Sequence, residues 1–282
     1  MSGSRIFRDG LLDGQVAIVS GGGSGLGRAI ALELARLGAR VTICGRRPEP
    51  LRQTAQLAGA GAVHTVVCDV REEEQVGALV EAVMGREGRI DLLVNNAGGQ
   101  FLAPAEQITP KGFRTVIRLN LESAWLMSHA VATASMIQGS PPAGGKIVNL
   151  TLSPHHGLPG MAHSAASRAG VENLTRTLSI EWARFGVRVN AIAVGQIATD
   201  TLLTKYPQPF VEAISGSIPL GRMGAAEEVA WLVAYLASPA GDFISGSVLT
   251  VDGARDNWIG AWPPPSLADE SGRPLSEERR GR

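Results

Sequence analysis

The sequence predicts a single doubly wound α/β domain, with one parallel β-sheet covered by helices on both faces. Three observations carry this expectation. Seven short apolar runs recur along the chain, stretches of helical period separate them, and a glycine-rich turn joins the first run to the first helical stretch. Strands that are apolar on both sides need cover on both sides, which is the condition of a parallel sheet.

VAIVS (16–20) is the first run, and the helix after it carries Leu26, Ile30, Leu34 and Leu37 on one face. VTIC (41–44), HTVVC (64–68), DLLVNNA (91–97), KIVNL (146–150), RVNAIAV (188–194) and SVLTV (247–251) follow as buried strands. Val171, Leu174, Leu178 and Trp182 mark a later amphipathic helix, and Tyr235 in VAWLVAYLAS reads as core. No repeat or long linker interrupts residues 1–260, which are read as one domain. The segment 198–218 breaks the rhythm with prolines and scattered apolar residues, and such an insertion after a strand's carboxyl end lies over the ligand crevice. Tyr206 within it is a candidate substrate contact. The tail 261–282, rich in proline and charge, is read as partly disordered or packed on a neighbouring subunit.

The 282 residues are 44% apolar, and 26 Lys and Arg balance 26 Asp and Glu. That balance provides no electrostatic footprint for nucleic acid or an anionic membrane, so neither partner is expected. Cys44 and Cys68, the only cysteines, are read as small buried hydrophobes in a reducing compartment. No run of about 18 apolar residues occurs, and the final RGR is not a peroxisomal address, so a cytoplasmic protein is expected. His155, His156 and His163 lack acidic or sulfur neighbours in sequence, so no metal is expected. His155 or His156 remains a candidate acid in the loop after the 146–150 strand.

SGGGSGLG (20–27) places Gly21, Gly25 and Gly27 in a turn that lets the backbone approach a pyrophosphate at a helix N-terminus. Ser20 and Leu26 share that turn. About twenty positions on, an acidic residue would select the ribose hydroxyl of NAD. Here Arg46 and Arg47 follow the second strand, with no carboxylate before Glu49. Paired guanidinium groups suit a 2′-phosphate, so NADP(H) is the expected cofactor.

With CDV at 68–70, NNAG at 95–98, Asn120, SAASRAG at 164–170 and RVNAIAVGQIAT at 188–199, the chain resembles the short-chain dehydrogenase/reductase family over residues 10–255. The resemblance implies a Rossmann-type fold and a homodimer or homotetramer. It also implies that Asp69 and Val70 flank the adenine, and that Asn96, Ala97 and Gly98 line the dinucleotide. Ile197 and Thr199 would meet the nicotinamide end, with Val194 replacing a usual proline.

Most of that family carries Tyr and Lys one helical turn apart, with a serine on the preceding strand. Here Ser164 and Arg168 occupy the pair's positions, and Thr151, Leu152 and Ser153 occupy the strand segment. Serine is a poor acid near neutrality, and arginine does not give up its proton. His163, one residue away, points about 100° around the helix. Oxidising an alcohol or reducing an isolated carbonyl needs a proton-transfer group. Reducing a C=C conjugated to a thioester needs chiefly donors for an enolate. Asn120, Ser164 and Arg168 are the catalytic candidates.

LLVNNAGGQFLAPAEQITPKGF (92–113) and HSAASRAG (163–170) are similar to the NADPH-dependent peroxisomal trans-2-enoyl-CoA reductase branch of the family. That similarity implies reduction of a trans-2-enoyl-CoA, with Gln100 and Phe101 beside the pocket and acyl-CoA as the small-molecule partner. Two alternatives stay open. One is an alcohol or carbonyl oxidoreductase acting on a terpenoid, steroid or other lipid intermediate, with His155, His156 or Tyr206 moving the proton. The other is a non-catalytic NADP-binding protein.

Overall fold

A computed structural model describes residues 5–59, 61–153, 155–199 and 208–258. Each of the seven apolar runs becomes a strand: β1 (Val16–Ser20), β2 (Arg40–Gly45), β3 (Val63–Val67), β4 (Leu92–Asn95), β5 (Gly145–Leu152), β6 (Val187–Val194) and β7 (Val248–Val251). They form one sheet in the order β3-β2-β1-β4-β5-β6-β7, and every neighbouring pair is parallel. Most bounds shift by one residue from the sequence reading, and two shift by two residues. β4 stops at Asn95 because Asn96 turns away to hydrogen-bond the Ser20 carbonyl through its amide, at 2.9 Å. β5 runs on to Leu152, so Thr151 belongs to the strand.

Helices α1 (Gly25–Arg36), α2 (Pro48–Ala58) and α8 (Ala226–Ala237) cover one face. There Val19, Ile30, Leu34, Ile43, Ile192 and Val233 form one core cluster. Helices α3 (Glu73–Glu87), α5 (Ser123–Val131) and α6 (Ala162–Glu181) cover the other face, around Ile18, Leu79, Leu93, Met127, Ile147 and Leu178. Adjacent residues Ile18 and Val19 thus bury into opposite cores, the alternation that a doubly covered strand requires. Each fully buried side chain of this kind contributes about 1.5–3 kcal/mol of transfer free energy. Helix α7 (Gln208–Gly216) lies in the predicted insertion. Tyr235 departs from expectation: it is 38% exposed on α8, whose Val229, Val233 and Leu236 take the core positions instead.

Helix α4 (Pro110–Ile117) begins with Thr109, whose hydroxyl accepts from the Gly112 N–H at 3.1 Å, and with Pro110 in the first turn. Between α4 and α5 the winding loosens to a π-turn over Arg118–Glu122. Such turns concentrate at functional sites because they turn one side chain out of helical register. Here that segment holds Asn120, only 2% exposed.

The chain winds outward from β1 to β3, then returns to the other side of β1 to make β4. The connections leaving β1 and β4 therefore diverge, and a crevice opens at their carboxyl ends. Beneath it Asn95 donates to Asn149 and Ser128, each at 2.9 Å, and Asn149 donates to Thr175 at 2.9 Å. This buried ladder ties β4 and β5 to α5 and α6, the elements that carry the site.

Candidate dinucleotide and substrate site

The crevice between β1 and β4 is a cavity of about 400 Å³ walled by the 21–27 turn, Arg46, Arg47, Asp69, Val70 and the 96–98 segment. Gly21 and Gly25 take φ of +68° and +52°, in the left-handed region where a side chain strains the backbone. Gly27 is fixed by space, since a Cβ there would lie 2.5 Å from the Asn96 amide and overlap the Gly21 carbonyl. Ser24 precedes α1 without a side-chain cap, so the first N–H groups of the helix face the crevice unspent. Gly27→Ala is expected to weaken dinucleotide binding by at least about tenfold in a fluorescence titration, with little change in the far-UV spectrum.

Arg46 and Arg47 leave β2 exposed at the rim of this cavity. The nearest carboxylate, Glu49, is bound by Arg52 at 2.7 Å and by Gln53, and does not line the cavity. Asp69 is held by Arg71, whose guanidinium keeps its carboxyl below the usual carboxylate range. Ser20 stands behind the wall. Its hydroxyl accepts from the Asn96 and Ala97 N–H groups, at 3.0 Å each, and so shapes the 96–98 segment from below. Pro50 and Leu51 also line the crevice, a contribution absent from the sequence reading. They reach it because α2 starts directly after the arginines, within about 3 Å of where a Gly23 Cβ would stand.

A second cavity of about 490 Å³ shares Leu26, Asn96 and Thr199 with the first and extends past Gln100, Phe101, Leu158, Met161 and Ile214. Ile214 comes from α7, so the insertion does border the crevice. Tyr206 lies outside the described residues. Ile197 and Thr199 line the cavity where β6 ends, and Ile197 forms a parallel bridge to Gly224.

The three catalytic candidates take different positions around the cavity. Ser164 is fully buried and does not face the cavity. Its hydroxyl donates to Gln100 Oε1 at 2.8 Å, and Gln100, exposed, lines the cavity in its stead. With its oxygen accepting from Ser164, the Gln100 carboxamide presents its NH₂ group as the available donor. Asn120 does not line the cavity either. It accepts from the Gly99 N–H at 2.9 Å and donates to Ser167 at 3.0 Å, anchoring the segment that carries Gln100. His163 accepts from the Ser164 N–H at 2.7 Å and meets Phe101 edge-on, with ring centroids 4.2 Å apart.

Arg168 does line the cavity. It donates to the Leu150 carbonyl at 2.7 Å, its Nε is buried with no partner, and no carboxylate pairs with it among the described residues. Burial pushes its guanidinium down to about 10, which still leaves it charged near neutrality. A partly buried, desolvated cation without a counter-ion is costly unless a ligand completes it. Unsatisfied donors at the junction of the two cavities, with the glycine cradle beside them, fit the ribose and nicotinamide half of a dinucleotide. Arg168, Thr199 and Ile197 would hold that half, and the 21–27 turn the pyrophosphate. Among the described residues that line the second cavity, Arg168 is the one ionisable side chain.

A family model described as enoyl-(acyl carrier protein) reductase matches residues 21–254. A probable 2,4-dienoyl-CoA reductase of Bacillus subtilis is 36% identical over 258 residues, covering 89% of this chain and all of that protein. The D-threitol dehydrogenase of Mycolicibacterium smegmatis is also 36% identical, over 86% of this chain and 93% of its own. The solved structure of the citronellol catabolism dehydrogenase AtuB of Pseudomonas aeruginosa is 44% identical, with a TM-score of 0.79 over 89% of this chain and 98% of its own. The match along the chain, the sheet order and the nicotinamide-dinucleotide crevice agree: this protein belongs to the short-chain dehydrogenase/reductase family of oxidoreductases.

Proposed function

We propose that this protein is an NADPH-dependent reductase of the C=C bond in a trans-2-enoyl-CoA or a similar enoyl thioester. One observation carries the proposal. The position that would present an ionisable phenol holds Ser164, buried and bonded to Gln100, and the described wall of the cavity offers no ionisable side chain other than Arg168, which keeps its proton. When bound, the reduced dinucleotide supplies a hydride to the β-carbon, which leaves negative charge on the thioester oxygen. Gln100 then donates a hydrogen bond to that oxygen, Arg168 provides positive charge beside it, and Ser164 and Asn120 hold the donors in place. Phe101, Leu158, Met161 and Ile214 exclude water around the acyl chain. A relative named 2,4-dienoyl-CoA reductase supports a conjugated thioester as the substrate class.

NADPH is the proposed form of the cofactor because Arg46 and Arg47 stand where β2 ends and Glu49 is occupied elsewhere. Replacing both arginines with alanine is expected to raise the Kd for NADPH by about 100-fold and to leave that for NADH unchanged, since each charge-assisted pair is worth about 1.5–3 kcal/mol. Equal loss for both dinucleotides would contradict the assignment. The expected homo-oligomer finds support in Trp125 and Ile180, large apolar side chains exposed on α5 and α6.

A second reading has its own support. The likeness to citronellol catabolism dehydrogenase favours oxidation of a terpenoid alcohol or reduction of the matching aldehyde. That chemistry needs a proton-transfer side chain at the substrate oxygen. Where Tyr206 moves the proton, Tyr206→Phe abolishes turnover under the second reading and costs little under the first.

A further inference from the structure

Beyond the slot, α6 carries one more buried titratable group on the same face. Glu172 lies one turn after Arg168 and is 6% exposed. Its Oε1 accepts from Thr151 Oγ1 at 3.1 Å and meets His155 Nε2 at 3.0 Å. Thr151 lines the same cavity as Arg168 and Gln100. The other ring nitrogen of His155 is bonded to Asp256, which also accepts from the His155 N–H at 2.6 Å. The His155 side chain is 33% exposed. An unbroken line of hydrogen bonds therefore runs from the cavity wall through Thr151 and Glu172 to a histidine in contact with solvent.

We propose that Thr151, Glu172 and His155 form a proton route into the substrate cavity. The inference rests on the reductase reading and assigns the proton source that reading lacks. Reduction of an enoyl thioester consumes one hydride, supplied by the dinucleotide, and one proton at the α-carbon. The His155 Nε2–H bond breaks and Glu172 Oε1 takes the proton. Glu172 passes it to Thr151 Oγ1, whose own proton goes to the α-carbon, where the enolate electron pair forms the C–H bond. His155 is left neutral and recovers its proton from solvent.

The charges around His155 favour its loaded form. Asp256, in the short helical turn after β7, bonds it first, and Glu172 of α6 adds to the effect, so its imidazolium persists above the ordinary imidazole range. Asp252 is held on Ser153 at 2.6 Å and on the Asp256 N–H at 2.7 Å, which fixes the Asp256 turn. Arg176 stands 3.9 Å from the far oxygen of Glu172. The acid form is the working form, so turnover falls as pH rises through the raised His155 value.

The test compares pH profiles of kcat for enoyl thioester reduction in the full chain with NADPH. Wild type is expected to lose rate only on the alkaline side of neutrality. Glu172→Gln and Thr151→Val are each expected to lower kcat at least about tenfold at neutral pH, with NADPH affinity unchanged. Thr151→Ser, which keeps the hydroxyl, is expected to retain most of the rate. His155→Ala should lose the alkaline limb and recover rate with added imidazole, whereas His156→Gln should behave as wild type. Variants that all keep wild-type kcat and pH profile would overturn the proton route while leaving the reductase reading intact. Absence of wild-type turnover would overturn both.

Discussion

Arg168→Met is expected to lower kcat/KM by about 1,000-fold while the protein without cofactor becomes no less stable. The two halves of this result have one cause. Arg168 is a partly buried cation with a single backbone acceptor, a buried unpartnered Nε and no carboxylate partner among the described residues. Its desolvation opposes folding, and exchanging such a charge for an apolar side chain of similar length is neutral or stabilising. On the proposed reading, the dinucleotide ribose and the enolate would complete these donors, at about 1.5–3 kcal/mol for each charged hydrogen bond. Two such bonds account for the expected loss. A Tm for Arg168→Met well below that of wild type would show that the guanidinium serves packing instead.

The second large effect is expected at Gln100. Gln100→Leu should reduce kcat by about 100- to 1,000-fold, the range found when one preorganised donor to an oxyanion is removed. Dinucleotide binding should not change, because Gln100 lines the substrate cavity and not the crevice at β1. Ser164→Ala should cost less, since the carboxamide remains but loses the bond that turns its NH₂ toward the cavity. In the double variant the two losses should fail to add, because both act through one hydrogen-bonding group. Simple multiplication of the two effects would show that Ser164 acts on the substrate independently.

The layered architecture was legible because the inner strands β1, β2, β4, β5 and β6 are buried on both faces, whereas the edge strands β3 and β7 are partly exposed. The crevice was legible for a related reason. Gly21, Gly25 and Gly27 are set by φ and by space, and such constraints leave a mark at a fixed spacing. Roles inside the slot were less legible. The sequence places Ser164 one turn from Arg168, but it does not record that Gln100 lies between Ser164 and the cavity. That arrangement depends on a loop 64 residues away, held by Asn120 through Gly99. Glu172 escaped notice because a glutamate in an amphipathic helix reads as a solvated charge. Only the packing of α6 against β5 and the Asp256 turn buries it beside His155. Tyr235 failed in the opposite direction, since its helical spacing is that of a core residue although its face of α8 is open.

The central claim is that a cavity whose described wall carries no ionisable phenol delivers hydride to an olefin activated by a neighbouring acyl group. Its most direct test is a paired assay with purified protein and NADPH, following loss of reduced-nicotinamide absorbance. One substrate is a trans-2-enoyl thioester, and the other is an aldehyde of the same chain length whose carbonyl is not conjugated. The account predicts oxidation of NADPH with the thioester, formation of the saturated acyl product, and no turnover of the aldehyde. Turnover of the aldehyde with an inert enoyl thioester would contradict it.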